Sequence, residues 1–227
     1  MAVSALDGHT FAAVLFDMDG TLIDSIGAVE RSWVTWAGEF DIDLERLLGF
    51  HGIPASGVIA SLRPDLDADA QALAVRRIEE LEVADTEGIV VLPGAGEALG
   101  GLVAAGARAA IVTSCTDPLF EARIAATGLT RPPVVVTASM VARGKPHPDP
   151  FVLAAERLGV DPADCLVVED AVAGLTAARA AGASGALAVL HTTPREALEP
   201  LADLVVGGLD EVRFVVDQDG RVRVTTG

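Results

Sequence analysis

The chain contains 227 residues, of which 51% are apolar and 22% are charged, and its 33 acidic and 16 basic side chains give a formal net charge of −17. The high apolar fraction excludes a disordered chain, and the negative field excludes nucleic acid and anionic membranes as partners, because their phosphates would be repelled. No apolar run approaches the roughly 18 residues of a membrane span, and the first ten residues lack the pattern of a secretory signal, so we expect a cytoplasmic protein.

The first predicted strand, at residues 12–16, is followed by a long helical stretch. Helical periodicity covers four segments there, at residues 26–40, 44–50, 55–62 and 67–83. A short strand is predicted after them, at residues 89–92. About 90 residues separate the first two core strands, whereas a crossover needs only about a dozen. We therefore predict an all-helical cap domain at residues 26–91, inserted into a core domain formed by residues 1–25 and 92–227.

From residue 94 onward, β-branched runs alternate with Ala- and Leu-rich stretches of helical period, which is typical of βα units around a parallel sheet. The strands predicted here span residues 107–113, 133–137, 165–168 and 185–190. The helices span residues 94–105, 118–127, 148–158 and 171–181, and a glycine follows each of them. A terminal hairpin is predicted at residues 212–216 and 222–224. The expected fold class is α/β: a Rossmann-like doubly wound parallel sheet with an inserted all-helical cap.

The first predicted strand ends in an acidic loop, Asp17-Met18-Asp19-Gly20-Thr21. Its two carboxylates lie just beyond the carboxyl end of the strand, where open α/β sheets bind their ligands. Two acids followed by Gly and Thr in a tight loop suit an anion and metal site better than a plain turn. On this stretch alone, an Asx-rich structural turn stays open as the alternative.

The acidic loop closely resembles the first motif of the haloacid dehalogenase superfamily of phosphohydrolases, and three further matches follow in the family's order. Thr113-Ser114 ends the second core strand and is similar to the second motif, whose hydroxyl binds the transferring phosphoryl group. Lys145 resembles the third motif, a fixed cation, and Glu169-Asp170 resembles the fourth, which completes the metal site. The resemblance covers about residues 11–190. It implies a Mg²⁺-dependent phosphatase that acts through an aspartyl phosphate.

The resemblance also implies a role for each matching residue. Asp17 is expected to be the nucleophile. Asp19 is expected to protonate the leaving alkoxide and then to deprotonate the attacking water. The expected metal ligands are Asp17, the backbone carbonyl of Asp19, and Asp170. Glu169 is expected either to be a further ligand or to support the ligands without touching the metal. The expected phosphate-binding residues are Ser114, Cys115 and Lys145.

Lys145 has support from the composition as well. It is the only lysine in the chain, because the other 15 of the 16 basic residues are arginines. A compact ammonium differs from a planar guanidinium in charge distribution and hydrogen-bond geometry. The sequence therefore indicates that a point charge is required at this one position.

Several activities within the family are separated by single residues. Asp19 disfavours dehalogenation, because dehalogenating members carry a non-acidic residue there. Phosphonate cleavage needs a lysine in the cap, and the predicted cap has none. Sugar phosphomutases such as β-phosphoglucomutase carry a histidine ten residues after the acid/base aspartate, where this chain has Val29. A phosphatase is preferred, while a mutase and a non-catalytic binding protein on the same scaffold stay open.

The substrate class is inferred from local similarity. Residues 24–33, the pair His51-Gly52, and residues 111–116 resemble the small sugar and polyol phosphatases. Phosphoglycolate and nucleotide phosphatases stay open as alternatives. Three predicted cap residues are expected to select the substrate, namely His51, Arg46 and Arg63. We expect a small phosphate monoester as the partner and a monomer or weak homodimer.

Two further sets of residues are interpreted as structural. Cys115 and Cys165 are too few for a disulfide framework and are expected to be small buried side chains. An acidic run in the last helix of the predicted cap is expected to form a solvated face. Its members are Glu79, Glu80, Glu82, Asp85 and Glu87.

Overall fold

The structure, a computed structural model, describes residues 6–47 and 55–226. The strands in these residues are β1 (Ala13–Phe16), β2 (Ile23–Asp24), β3 (Val90–Val91), β4 (Arg108–Val112), β5 (Val134–Val136), β6 (Cys165–Glu169), β7 (Gly185–Val189), β8 (Leu204–Val206), β9 (Val212–Val216) and β10 (Val222–Thr226). The helices are α1 (Ile26–Glu39), α2 (Ala55–Leu62), α3 (Ala68–Ala84), α4 (Ala95–Ala104), α5 (Asp117–Thr127), α6 (Asp149–Leu158), α7 (Val172–Ala181) and α8 (Arg195–Leu198).

Six strands form one parallel sheet in the order β5-β4-β1-β6-β7-β8. The central strand β1 is buried on both faces, because Val14 and Phe16 pack into one apolar cluster while Ala13 and Leu15 pack into another. Helices cover both faces, as parallel sheets require. The predicted α/β doubly wound sheet is therefore confirmed.

The five predicted core strands and the four helices between them are confirmed to within two residues at each end. The edge strand β8 was not predicted. It has only three residues, and two of them are half-buried, so it carries little of the apolar signal of a core strand. The predicted hairpin is confirmed as the antiparallel pair β9 and β10. It packs on the sheet, where the Phe214 ring centroid lies 5.7 Å from that of Phe16.

Helices α1, α2 and α3 lie between β1 and β4 in the chain, as predicted. We call them the inserted helices. They share an apolar cluster of their own, in which Trp36 donates from Nε1 to the carbonyl oxygen of Ala74 at 3.0 Å. The predicted helix at 44–50 is only a short 3₁₀ turn over Leu44–Leu47 in the described residues, and residues 48–54 lie outside them.

The two connections between the sheet and the inserted helices run side by side. They pair as the antiparallel strands β2 and β3, with Ile23 opposite Val91 and Asp24 opposite Val90. Helix α3 then packs against α5 of the sheet region, close to the carboxyl edge of the sheet. None of the helices in the described ranges is both long and apolar enough to cross a membrane.

Candidate active site

The carboxyl ends of β1, β4 and β6 lie side by side, so the residues that follow them meet at one edge of the sheet. The backbone N–H of Asp17 donates to the carbonyl oxygen of Val168 at 2.9 Å, which holds the start of the acidic loop against β6. Gly20 in this loop has φ +86°, and a Cβ there would collide with the Asp170 carboxylate. Only glycine allows the loop to approach β6 this closely.

Lys145 joins the three strand ends. Its Nζ lies 2.6 Å from Asp17 Oδ1 and 2.7 Å from Glu169 Oε1, and it donates to the carbonyl oxygen of Val112 at 2.9 Å. Its side chain is 5% exposed. Burial acts to lower the pKa of the ammonium, but Asp17 and Glu169 outweigh it, so the net pKa is raised and Lys145 stays charged.

Asp17, Glu169 and Asp170 form a buried acidic cluster in which one oxygen of each lies within 4.8 Å of the others. Burial is the largest cause that raises the pKa of Asp17 well above its usual value, although Lys145 opposes it. Burial and then the Glu169 charge raise the pKa of Asp170 to about 7. Three carboxylates therefore face one ammonium, and this excess negative charge is costly to bury without a further cation.

The donor set of the acidic cluster fits Mg²⁺, which prefers hard oxygen ligands and few carboxylates. Asp170 is oriented by hydroxyl groups, since Oδ1 accepts from Thr21 at 3.3 Å and Oδ2 accepts from Thr192. Glu169 Oε2 accepts from the backbone N–H groups of Asp170 and Ala171, both at 3.0 Å. These contacts hold the carboxylates in place while leaving the oxygens of Asp17 and Asp170 near each other.

Asp19 lies in a second cluster, next to the first. Its Oδ1 accepts from the Ser25 hydroxyl at 2.7 Å. Its Oδ2 lies 2.7 Å from Nη1 of Arg123 and 3.0 Å from the thiol of Cys115. The Asp19 carboxylate is thus directed towards α5, although only Met18 separates it from Asp17 in the chain.

Arg123 and Glu82 belong to this second cluster, and neither was predicted to lie at the site. Arg123 is 5% exposed, and its Nη2 lies 3.6 Å from Glu82 Oε2 on α3. Burial raises the pKa of Glu82 to about 7, partly offset by Arg123. On α5, Arg123 lies one turn after the buried residues Leu119 and Phe120, so helical periodicity was the signal that placed a cation on the buried face.

The interpretation of the acidic run as a solvated face is wrong for two of its members. Glu82 is largely buried beside Arg123, and Glu79 accepts a hydrogen bond from the Thr116 hydroxyl. Glu80, in contrast, is exposed and pairs with Arg77. The face of α3 that carries Glu79 and Glu82 therefore packs against α5 and against Thr116, the residue before it.

The remaining predicted site residues lie in different surroundings. Ser114 is exposed just beyond the end of β4, and Cys115 is buried with its thiol against Asp19.

Arg46 donates to the carbonyl oxygen of Leu62 at 3.0 Å. Arg63 pairs with Asp65 at 2.7 Å and donates to the carbonyl oxygen of Phe40 at 3.2 Å, so both arginines make contacts among the inserted helices. His51 lies outside the described residues.

Known proteins resemble this chain over most of its length. The sequence model of the haloacid dehalogenase-like hydrolases matches residues 11–182. Hexitol phosphatase A of Escherichia coli (strain K12) is 42% identical over 212 residues, which cover 92% of this chain and 96% of that protein. Fructose-1-phosphate phosphatase of the same strain is 34% identical over 182 residues, covering 76% and 93%. A solved hydrolase structure from Deinococcus radiodurans R1, with bound phosphate and sodium, has 33% identity and a TM-score of 0.67, covering 88% and 93%.

Proposed function

The chain belongs to the haloacid dehalogenase-like hydrolases, and we propose that it is a Mg²⁺-dependent phosphatase of a small sugar or polyol phosphate. The observation that carries this proposal is the buried acidic cluster in contact with Lys145 at the carboxyl edge of the sheet. A carboxylate nucleophile beside a fixed ammonium suits the transfer of a phosphoryl dianion. The names of the two bacterial relatives, a hexitol phosphatase and a fructose-1-phosphate phosphatase, support the substrate class.

The proposed reaction has two in-line transfers. An Asp17 oxygen attacks phosphorus, the bond from phosphorus to the ester oxygen breaks, and Asp19 gives its proton to the leaving alkoxide. Water then attacks the aspartyl phosphate, Asp19 takes a proton from that water, and inorganic phosphate leaves as Asp17 is regenerated. Lys145 offsets the repulsion between the Asp17 carboxylate and the phosphate in both steps.

The acidic cluster is the proposed metal site. Asp17, Asp170 and the backbone carbonyl of Asp19 would hold Mg²⁺, and Glu169 would either be a further ligand or support the ligands without touching the ion. When bound, the ion supplies positive charge that neutralises the phosphoryl oxygens and the buried carboxylates. Ser114, exposed at the end of β4, and the neighbouring Cys115 are the proposed contacts for the phosphoryl oxygens, together with Lys145.

We also propose that residues 26–91 act as a cap domain on a core formed by residues 1–25 and 92–227. The separate apolar cluster of the inserted helices and their attachment through the paired strands β2 and β3 support this division. The strand-end residues recognise only the phosphoryl group, so the carbon skeleton of the substrate is recognised from the cap. His51, Arg46 and Arg63 are the cap residues proposed for that contact.

A panel of phosphate monoesters tests the proposal. Hexitol, fructose, glycerol, glycolate and nucleotide phosphates are each supplied with Mg²⁺ or with excess EDTA, and released phosphate is measured. We expect the hexitol and fructose phosphates to have the highest kcat/KM, and we expect EDTA and Asp17→Asn to abolish the release. Isomerisation of a sugar phosphate without release would favour a mutase, and full activity in EDTA would contradict the proposed metal.

A further inference from the structure

Arg123 is a buried cation that contacts both the acidic loop and α3, one of the inserted helices. Its Nη1 lies 2.7 Å from Asp19 Oδ2 and 2.6 Å from the Cys115 thiol, while Nη2 faces Glu82 Oε2 at 3.6 Å. Burying a guanidinium is costly unless carboxylates compensate it. Asp19 and Glu82 are these carboxylates, and the pairing raises the pKa of Arg123 above its usual value although burial opposes it.

The guanidinium is planar and rigid, so its two ends are positioned together. One end reaches the acidic loop after β1 and the other reaches α3. A shift of Glu82 relative to α5 therefore changes where Arg123 can place Nη1, and with it the orientation of the Asp19 carboxylate. The Ser25 hydroxyl holds only the other oxygen of Asp19, so it does not replace this contact.

A second contact fixes α3 at the same place. The Thr116 hydroxyl donates to Glu79, which lies one turn before Glu82 on α3. Because Thr116 follows Ser114 and Cys115, this contact holds α3 against the segment proposed to bind phosphate. The Arg123 contact is therefore part of a packed junction and not an isolated surface pair.

We propose that Arg123 is a positioning residue for Asp19, and that Glu82 on α3 holds Arg123 in the required place. Proton transfer to the leaving alkoxide then depends on a residue of the inserted helices that does not touch the substrate. This inference rests on the proposed phosphatase function. It assigns Arg123 and Glu82 to the protonation step and leaves nucleophilic attack to Asp17, with Lys145 compensating the charge.

Leaving-group dependence separates positioning from a general structural effect. Each variant is assayed with the best alkyl phosphate and with p-nitrophenyl phosphate, whose leaving group needs little protonation. Arg123→Met should lower kcat for the alkyl ester at least tenfold more than kcat for the aryl ester. Arg123→Lys should restore much of this difference, and Glu82→Gln should show a smaller difference of the same sign.

Two matched controls and a double variant complete the experiment. Arg131 and Glu80 lie near Arg123 and Glu82 in the chain, and both are exposed and ion-paired. Arg131→Met and Glu80→Gln should leave both rates within twofold. Adding Arg123→Met to Asp19→Asn should slow the alkyl ester no further, because the residue to be positioned is already lost. Equal loss on both esters in a variant with unchanged circular dichroism, or full additivity with Asp19→Asn, would overturn the inference.

Crystal structures make the test independent of turnover. In the parent and in Glu80→Gln, the Asp19 carboxylate should keep its contacts with Ser25 and Arg123, whereas in Arg123→Met or Glu82→Gln it should adopt a different rotamer. An unchanged Asp19 in both variants would overturn the inference even if phosphatase activity is found. An inactive parent protein with a displaced Asp19 in the variants would instead contradict the proposed function.

Discussion

Asp17 and Asp19 are two residues apart in one loop, yet each is paired with a different kind of cation. Asp17 contacts Lys145, whose other hydrogen-bond partners, Val112 and Glu169, lie at strand ends of the sheet. Asp19 contacts Arg123, which also faces Glu82 on α3. The proposed phosphoryl transfer therefore depends on residues at the strand ends of the sheet, whereas the proposed proton transfer is connected to the inserted helices.

Removing the Asp17 charge should have the largest effect, because it eliminates the proposed nucleophile of the sheet region. Asp17→Asn is expected to lower kcat by roughly 1,000-fold or more on alkyl and aryl esters alike, and to prevent formation of a phospho-enzyme. Rapid quench with a ³²P-labelled substrate measures both. Turnover close to the parent's would show that this cluster binds without reacting, and the contrast with Asp19 would disappear.

Asp19→Asn should have the second largest effect, and it should slow one class of substrate more than the other. We expect a loss of about 100-fold or more on alkyl phosphates and a much smaller loss on p-nitrophenyl phosphate, because general acid catalysis contributes roughly 10²–10⁴-fold where the leaving group is basic. Steady-state rates on both esters measure the difference. If the two losses are equal, Asp19 serves the metal or the fold and not the proton.

The pKa of Glu82 tests the connection to α3 without any substrate. Burial raises this pKa from its usual 4.5 to about 7, so between these values the folded protein binds more protons than the unfolded chain. The free energy of unfolding therefore falls as pH rises through this window. Glu82→Gln removes this dependence, and its stability relative to the parent should rise from pH 5 to pH 8, by at most about 3 kcal/mol.

Urea unfolding in EDTA at both pH values measures this relative stability. Glu80→Gln, with an exposed carboxylate on the same helix, should show no comparable trend. A flat difference between Glu82→Gln and the parent would mean that the pKa of Glu82 is not raised in the folded protein, and that Arg123 and solvent together cancel the effect of burial.

The smallest effect is expected at His51, which concerns recognition by the proposed cap alone. His51→Ala should raise KM for the best sugar or polyol phosphate about 3- to 10-fold, the cost of one hydrogen bond, and leave p-nitrophenyl phosphate turnover within a few fold. KM values across the ester panel measure it. Equal loss on every substrate would place His51 in the chemistry or the fold, and no change would leave selection to other residues.

Much of the fold could be predicted, because its signals are local. The strands β1, β4 and β6 are short apolar runs, and the helices α5, α6 and α7 each end at a glycine. The acidic loop and Glu169-Asp170 lie at the ends of predicted strands, and Lys145 lies in the loop before a predicted helix. Their meeting at one edge of the sheet follows from parallel topology alone. The roles assigned to these side chains stay predictions until the variants are measured.

The Arg123 cluster could not be predicted in the same way. Its contacts join residues of α3, α5 and the acidic loop, which are far apart in the chain and depend on how α3 packs. Charge alone misled the interpretation of Glu82, because a Glu-rich helix is ordinarily solvated. A lone arginine on the buried face of α5 was the available clue, and it indicates burial without naming the partner.

The buried position of the single lysine has a practical consequence for chemical labelling. Side-chain amines of this protein can be modified at Lys145 alone, and its Nζ is held between Asp17 and Glu169 with its pKa raised, in the unreactive protonated form. An acylating reagent should therefore add at most one side-chain adduct per chain, and only when the contacts of Lys145 with Asp17 and Glu169 open. Mass spectrometry of that adduct over time would measure the opening rate, and inorganic phosphate should slow it.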